Sequence, residues 1–392
     1  MTGEPGLRQM LGDRNLQVTF GITLMAVLAV SSITPAFPLI MRTFGITEGE
    51  VGLLITAFTV PGVILSPLMG ILADRWGRRK VLVPCLFLFA LAGTLCAFAP
   101  TFQVLLALRV IQGVGGASLG SLALTIVGDL YEGKTRATAM GYNESVLNIG
   151  TASYPSIGGA LATLGWFFPF YLSLLAVPVG LMVIFVLDSP EPPVTEGIRR
   201  YFSRTWRVVK EPRAILLFTA IALSLLVLYG SYLAFFPLLL DSLGANSLEI
   251  GLIMSTMSLT TALIASQMGR LSARFSYSTL LKASYPFFAL GLALIPLVND
   301  LILFTVPTVI FGIGLGLNLP SIFTLMADHS PMESRGAFFS LNGLVLRLGQ
   351  TIGPPLMAAV FALGGFTPVF LSGAGLFALG FLMTLTLRDQ PS

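Results

Sequence analysis

The chain has 392 residues, of which 55% are apolar and only 10% charged, and its mean hydropathy is +0.88. A soluble domain of that composition would have no polar coat, so this is a membrane protein. The net charge of +4 and the pI near 9.2 then report orientation in the bilayer and not nucleic-acid binding.

A bilayer-spanning helix needs about 20 apolar residues. Twelve such stretches follow one another: 16–40, 50–72, 81–99, 102–127, 138–163, 166–187, 214–240, 248–268, 280–298, 301–326, 337–363 and 366–387. Six of them repeat the other six at an offset of 199 residues. Phe37-Pro38-Leu39 recurs as Phe236-Pro237-Leu238, Glu50-Val51-Gly52-Leu53 as Glu249-Ile250-Gly251-Leu252, and Gly70 and Arg75 as Gly269 and Arg274. Thr125, Asp129, Arg136, Asn143, Gly150 and Pro155 recur as Thr324, Asp328, Arg335, Asn342, Gly349 and Pro354. An even number of spans per half gives both halves the same orientation, so the repeat is parallel. The expectation is an all-α membrane protein of two six-helix bundles, residues 1–187 and 214–392, joined by a linker at 188–213.

Of the 22 Lys and Arg, only Arg42 falls in an outer segment if both termini are cytoplasmic, and only Arg109 and Arg347 lie more than a turn within spans. The opposite topology would put nearly all the positive charge on the wrong side. The N-terminal stretch MTGEPGLRQMLGDRNLQ is short and polar, and the first apolar run is too long for a signal-peptide core. A multi-pass protein of a prokaryotic plasma membrane is expected.

After the second span the chain reads GILADRWGRRK, from Gly70 to Lys80. Gly70 permits close helix approach, Asp74 can accept hydrogen bonds from an Arg or a helix N-terminus, and Gly77 lets the loop turn before Arg78, Arg79 and Lys80. This segment resembles the signature loop between helices 2 and 3 of the major facilitator superfamily. The resemblance implies a gate latch in which Gly70, Asp74, Arg75, Gly77, Arg78 and Arg79 hold the cytoplasmic ends of the halves together when the cavity opens outward. The second copy, GRLSARFSYST from Gly269, has Ala273 where the acid would stand.

In the fourth span, RVIQGVGGAS from Arg109 resembles a motif of the drug/proton antiporter branch, whose arginine that branch associates with proton coupling. In the fifth, Gly150, Pro155, Gly158 and Gly159 match the branch's exporter motif, with Tyr154 in place of the usual Gly before the proline. The repeat positions in span 11 are Gly349, Gly353 and Pro354. Both sets are expected on bent helices packed where the halves meet, with neighbouring helices covering the freed backbone. In the same fold helices 1, 4, 7 and 10 line the cavity. Its expected wall includes Ser32, Phe37, Gln112, Ser121, Thr125, Tyr229, Tyr232, Phe236, Asn318 and Ser321.

Charges within the hydrocarbon are costly, so each is a site hypothesis. Arg109 lies about 10 Å into its helix from the outer side at 1.5 Å per residue, and Glu144 about as deep from the inner side. Arg347 is near mid-membrane. A proton-coupling set of Arg109, Glu144 and Arg347 is expected, with Glu144 the carrier, alone or with Arg347; Arg109 and Glu144 approach from opposite faces. Between the halves, Ile198, Tyr201, Phe202, Trp206 and Val209 alternate with Arg199, Arg200, Arg204 and Arg207, which suits either a helix on an anionic leaflet or a solvated positive linker.

Several patterns carry no function. GDLYEGKT, from Gly128, spells a phosphate loop but joins two membrane spans in place of a strand and a helix, so no nucleotide is expected. Cys85 and Cys96 are about 16 Å apart along one helix, too far for a disulfide. His329 is the only histidine, so neither a metal centre nor a cofactor is expected, and nothing resembles an enzyme's nucleophile and base. The expectation is a monomeric secondary transporter working by alternating access, exporting lipophilic or amphiphilic small molecules against protons among membrane lipids. A lipid or lysolipid translocator of the same fold and a receptor that has lost transport are the alternatives.

Overall fold

The computed structural model describes Met10 and residues 12–188, 211–329 and 335–387. The linker segment with its basic and aromatic alternation lies outside the described residues. Twelve long helices are present among those described: α1 (Arg14–Phe44), α2 (Glu48–Trp76), α3 (Arg78–Cys96), α4 (Phe102–Leu130), α5 (Gly133–Ala162), α6 (Phe168–Phe185), α7 (Pro212–Ser242), α8 (Ser247–Ser266), α9 (Tyr277–Leu297), α10 (Thr305–His329), α11 (Arg335–Gly364) and α12 (Phe366–Thr384). They match the twelve expected spans. The largest differences are at polar ends, where α2 runs on to Trp76 and α5 starts at Gly133. Eleven of the helices are long and apolar enough to cross a bilayer, and α5 is the exception. Its polar residues find protein partners: Asn143 is buried and accepts a 2.7 Å hydrogen bond from the Thr23 hydroxyl on α1.

Interactions at the loops show which helix ends share a face. The Asp188 N–H donates to Asn15 Oδ1 at 2.8 Å, the Tyr131 hydroxyl to Asp13 Oδ2 at 2.7 Å, and Lys282 Nζ to the Leu387 carbonyl at 2.7 Å. This near face therefore holds the first turn of α1, the ends of α6 and α12, and the α4–α5 and α8–α9 junctions. The far face holds the α1–α2 and α7–α8 turns. There the repeat is visible as chemistry: Thr47 and Glu50 form a capping box on α2, and Asn246 and Glu249 form the same box on α8, each N-cap N–H donating to the glutamate at 2.8 Å.

The two halves shape their first helices differently, and of the two fourth helices only α4 is broken. Helix α1 passes through a tight turn at Thr34–Ala36, whereas α7 widens to a π-helix over Leu228–Phe235. Both resume at a proline, Pro38 and Pro237, where the missing N–H costs nothing. Helix α4 breaks near Ala117, whose carbonyl accepts from the Ser66 hydroxyl of α2 at 2.6 Å. A backbone group freed inside the membrane thus finds its partner on a neighbouring helix.

The two six-helix bundles meet along a seam made by α5 against α8 and α2 against α11. Its far-face half is in backbone contact. A Cβ on Gly251 would lie 2.2 Å from the Pro155 carbonyl oxygen, and one on Gly159 2.3 Å from that of Ser247. The repeat copy of the first contact is Gly52 against Pro354, at 3.4 Å. Short side chains cross the same stretch: Ser156 Oγ to Ser255 Oγ at 2.6 Å, and Thr351 Oγ1 to Thr59 Oγ1 at 2.9 Å. Toward the near face, Gly70, Gly141, Gly269 and Gly343 have nothing within 4 Å of where a Cβ would stand. The seam is shut on one side and parted on the other.

Candidate transport site

The loop after α2 builds a charged cluster on the near face. Gly77 has φ +95, a conformation open to glycine at no cost, and this turns the chain directly into α3. The turn sets Arg78, only 6% exposed, between two acids. Its Nη1 donates to Asp74, and its Nε donates to Asp129 Oδ2 on α4 at 3.1 Å. Arg79 donates to the Ile184 carbonyl at the end of α6, while Arg75 is exposed. These bonds tie α2, α3, α4 and α6 of the first bundle together, and among the described residues none of them reaches the second. Gly70 stands in open space. In this conformation the cluster is an anchor within one half. Asp129 belongs to it, although in the sequence that residue signalled only the repeat.

Arg109 is sealed inside the first bundle, at 0% exposure. Its Nη1 donates to Gln112 Oε1 at 2.6 Å and its Nε to the Leu54 carbonyl at 3.2 Å, and the guanidinium sits 4.6 Å from the Phe58 ring centroid. Gln112 in turn donates to Ser173 Oγ at 2.9 Å. Among the described residues no carboxylate lies within 4 Å and Nη2 has no partner. The glycines that follow are required by packing. A Cβ on Gly113 would stand 2.2 Å from the Phe58 carbonyl oxygen, and one on Gly115 2.6 Å from the Phe89 nitrogen. The motif thus presses α4 against α2 and α3 around a buried cation.

The remaining intramembrane charges flank the parted seam. Glu144 is exposed and stands eleven residues before Pro155, which is three turns, so both lie on one stripe of α5. That stripe meets α8 at Pro155 and Gly159, so Glu144 faces the cleft about 16 Å toward the near face. Arg347, half-buried, stands two turns before Pro354 on α11. Its chain crosses the seam over Gly62 of α2, where a Cβ would lie 3.1 Å from Arg347 Cδ and Nε. The expected partnership of Glu144 with Arg347 is absent: no ion pair or hydrogen bond joins Glu144 to either arginine among the described residues. The two residues sit on helices that contact different partners, α5 on α8 and α11 on α2.

The expected cavity wall divides in two. Ser121 is exposed, and Thr125 and Tyr229 are partly so. Ser32, Phe37, Gln112, Tyr232, Phe236, Asn318 and Ser321 are buried in this conformation. Asn318 accepts from Ser224 Oγ and donates to Ser284 Oγ, both at 2.9 Å, so it joins α7, α9 and α10. Tyr232 lies between Phe236 and Phe311, with ring centroids at 4.9 and 5.3 Å. Of the expected interface residues, Gly158 and Gly150 seat α1: a Cβ would fall 1.8 Å from the Ser32 carbonyl oxygen and 2.9 Å from Leu24 Cδ2. Gly349 and Gly353 seat α7, at 2.6 Å from the Ala222 and 2.4 Å from the Leu226 carbonyl oxygens. Pro155, Gly159 and Pro354 face the opposite half.

One pair escaped the sequence reading. Arg42 at the end of α1 donates from Nη2 to both carboxylate oxygens of Asp241 at the end of α7, at 2.7 and 2.6 Å. The two residues are 199 positions apart, the repeat offset itself. Equivalent positions related by a twofold meet only on its axis, so this ion pair marks where the pseudo-twofold leaves the far face. Opposite charges at repeat-equivalent positions were the available signal.

A family model described as Major Facilitator Superfamily matches residues 19–246 and 227–392. The bacillibactin exporter of Bacillus subtilis (strain 168) is 25% identical over 407 residues, covering 97% of this chain and 98% of that protein. The quinolone resistance protein NorA of Staphylococcus aureus (strain COL) is 24% identical over 353 residues, covering 88% of this chain and 89% of its own. A bacterial homologue of the human lysosomal transporter Spinster, in an inward-facing and occupied conformation, superposes with a TM-score of 0.78 at 18% identity. That likeness, covering 98% of this chain and 97% of the other, is one of fold.

Proposed function

The chain belongs to the major facilitator superfamily, and on that premise we propose that it is a proton-coupled exporter of lipophilic or amphiphilic small molecules working by alternating access. It is an integral multi-pass membrane transporter and not an enzyme. Export is supported by relatives named for bacillibactin export and quinolone resistance. The observation that carries alternating access is the one-sided seam, in backbone contact at Gly251 and Gly159 and free at Gly70 and Gly269. With the basic near face assigned to the cytoplasm, this is the inward-open state of bundles 1–187 and 214–392.

In this reading Glu144 carries the proton, because no other acid lies more than a turn inside an apolar span and it faces the cleft. Water entering the parted seam can reach its carboxyl and exchange a proton with it. Arg109 holds the bundle beside that path, and Asp74, with its arginines, latches the cytoplasmic ends in the outward-open state. The test is exchange and gradient-driven flux measured side by side in proteoliposomes. Glu144→Gln keeps exchange and loses pH-driven accumulation. Retained accumulation contradicts the carrier role, and movement of lipid in place of solute selects the translocator.

A further inference from the structure

We propose that Arg347, Gln350 and Tyr229 form an anion-binding subsite in the cleft, which takes the acidic group of an amphiphilic organic anion; this rests on the transporter reading above. The chain holds two intramembrane arginines, and each is followed three residues on by a glutamine: Arg109 with Gln112, and Arg347 with Gln350. In both pairs the arginine Nη1 donates to the glutamine Oε1, at 2.6 and 3.3 Å. An amide oxygen orients a guanidinium without cancelling its charge, so each arginine keeps a full positive charge at membrane depth.

Their surroundings differ. The Phe58 ring, the Leu54 carbonyl and the bundle itself close over Arg109, which no solute can reach. Arg347 is half-buried, with its chain pinned over Gly62 and its glutamine 7% exposed. Its Nε and Nη2 make no hydrogen bond among the described residues, and no carboxylate approaches within 4 Å. Those two nitrogens are also not sealed from the cleft. Tyr229 stands on α7 next to Gly230, where a Cβ would lie 2.6 Å from the Gly353 carbonyl oxygen of α11, and its hydroxyl is likewise unpaired among the described residues and unsealed.

The result is a fork of free N–H donors, a phenol donor on the adjoining helix, and a fixed cation with no fixed counter-charge among the described residues. That set fits a carboxylate, sulfonate or phosphate monoester, each of which accepts two parallel N–H bonds. The repeat positions are Asn148, Thr151 and Val30, so the first half carries no second copy of the charge. The bound anion therefore sits on the α7–α11 side of the cleft, away from Glu144.

The test uses the full chain in phosphatidylcholine nanodiscs, with 1-pyrenebutyrate and its uncharged methyl ester as probes of binding. The wild type binds the acid at least tenfold more tightly than the ester. Arg347→Gln removes that preference while leaving ester affinity in place, Arg347→Lys keeps part of it, and Tyr229→Phe lowers it severalfold. Equal or absent binding of the two probes by the wild type overturns the proposal, as does a preference that survives Arg347→Gln. Should Arg347→Gln fail to fold, an unchanged preference in both Tyr229→Phe and Gln350→Leu overturns it. Displacement of the acid by lysophosphatidylglycerol but not lysophosphatidylcholine identifies a lipid headgroup as the source of the anion; no displacement identifies a soluble acid. The acid preference without pH-driven export keeps the subsite and removes the coupling reading, and export without the preference does the reverse.

Discussion

The far and near ends of the seam are built from the same repeat and behave oppositely. At the far end, Gly251 and Gly159 let backbones touch, Ser156 meets Ser255, and Arg42 clasps its repeat mate Asp241. At the near end, the repeat mates Gly70 and Gly269 face open space, and Asp74 bonds within its own half. Tight backbone contact is a discrete state: with the Pro155 carbonyl oxygen 2.2 Å from where a Gly251 Cβ would stand, the contact has no room for a side chain. A seam with such contacts at one end and smooth, unfilled glycines at the other behaves as a rocker, in which closing one end parts the other.

The largest effect is expected where the comparison rests on sterics. Gly251→Leu cannot coexist with the Pro155 carbonyl at its present distance, so the far end stays open and transport falls to background. Gly70→Leu meets nothing in this conformation, so the protein folds and remains parted at the near face. Accessibility of engineered cysteines to an impermeant thiol reagent separates the two: far-face labelling rises in the first variant and falls in the second. Equal labelling in both breaks the contrast between the ends.

The ion pair ranks next. Arg42 is 59% exposed and Asp241 15%, so the pair is worth about 1 kcal/mol or less, a fewfold shift in population. Arg42→Asp sets two carboxylates face to face and raises far-face labelling severalfold. Adding Asp241→Arg restores the original level. A double variant that labels like the single one removes the pair from the gate.

Asp74→Asn is expected to act least in this conformation, since the Asp74 side chain is 40% exposed and its partner Arg78 keeps Asp129. Its effect belongs to the opposite state, where the latch would be made. The near-open population then rises by a fewfold at most, read from near-face labelling; a fall contradicts the latch.

Much of this contrast was legible in the sequence. Twelve apolar runs, the offset repeat and GILADRWGRRK lead to the helices, the two bundles and the near-face cluster, because hydrophobic length and charge placement are one-dimensional properties. What the sequence leaves open is rotation about each helix axis. Gln112 and Asn318 are polar and sit in helices of the cavity-lining class, yet Ser173, and Ser224 with Ser284, turn them into internal ties. Glu144 and Arg347 share a depth range, but different helix contacts keep them apart. Arg42 and Asp241 show the converse. They are repeat mates of opposite charge at corresponding helix ends, and reading Arg42 only as a stray outer charge hid the pair.

The most direct test of the rocker is a pair of distances in one protein. Spin labels at the repeat mates Thr43 and Ser242 report the far end, and labels at the repeat mates Trp76 and Phe275 report the near end; all four positions are exposed. Across changes of pH and added substrate, the two distances should move in opposite directions: whatever shortens the near distance lengthens the far one. Distances that lengthen together, or a far distance that never changes while transport proceeds, would contradict the account.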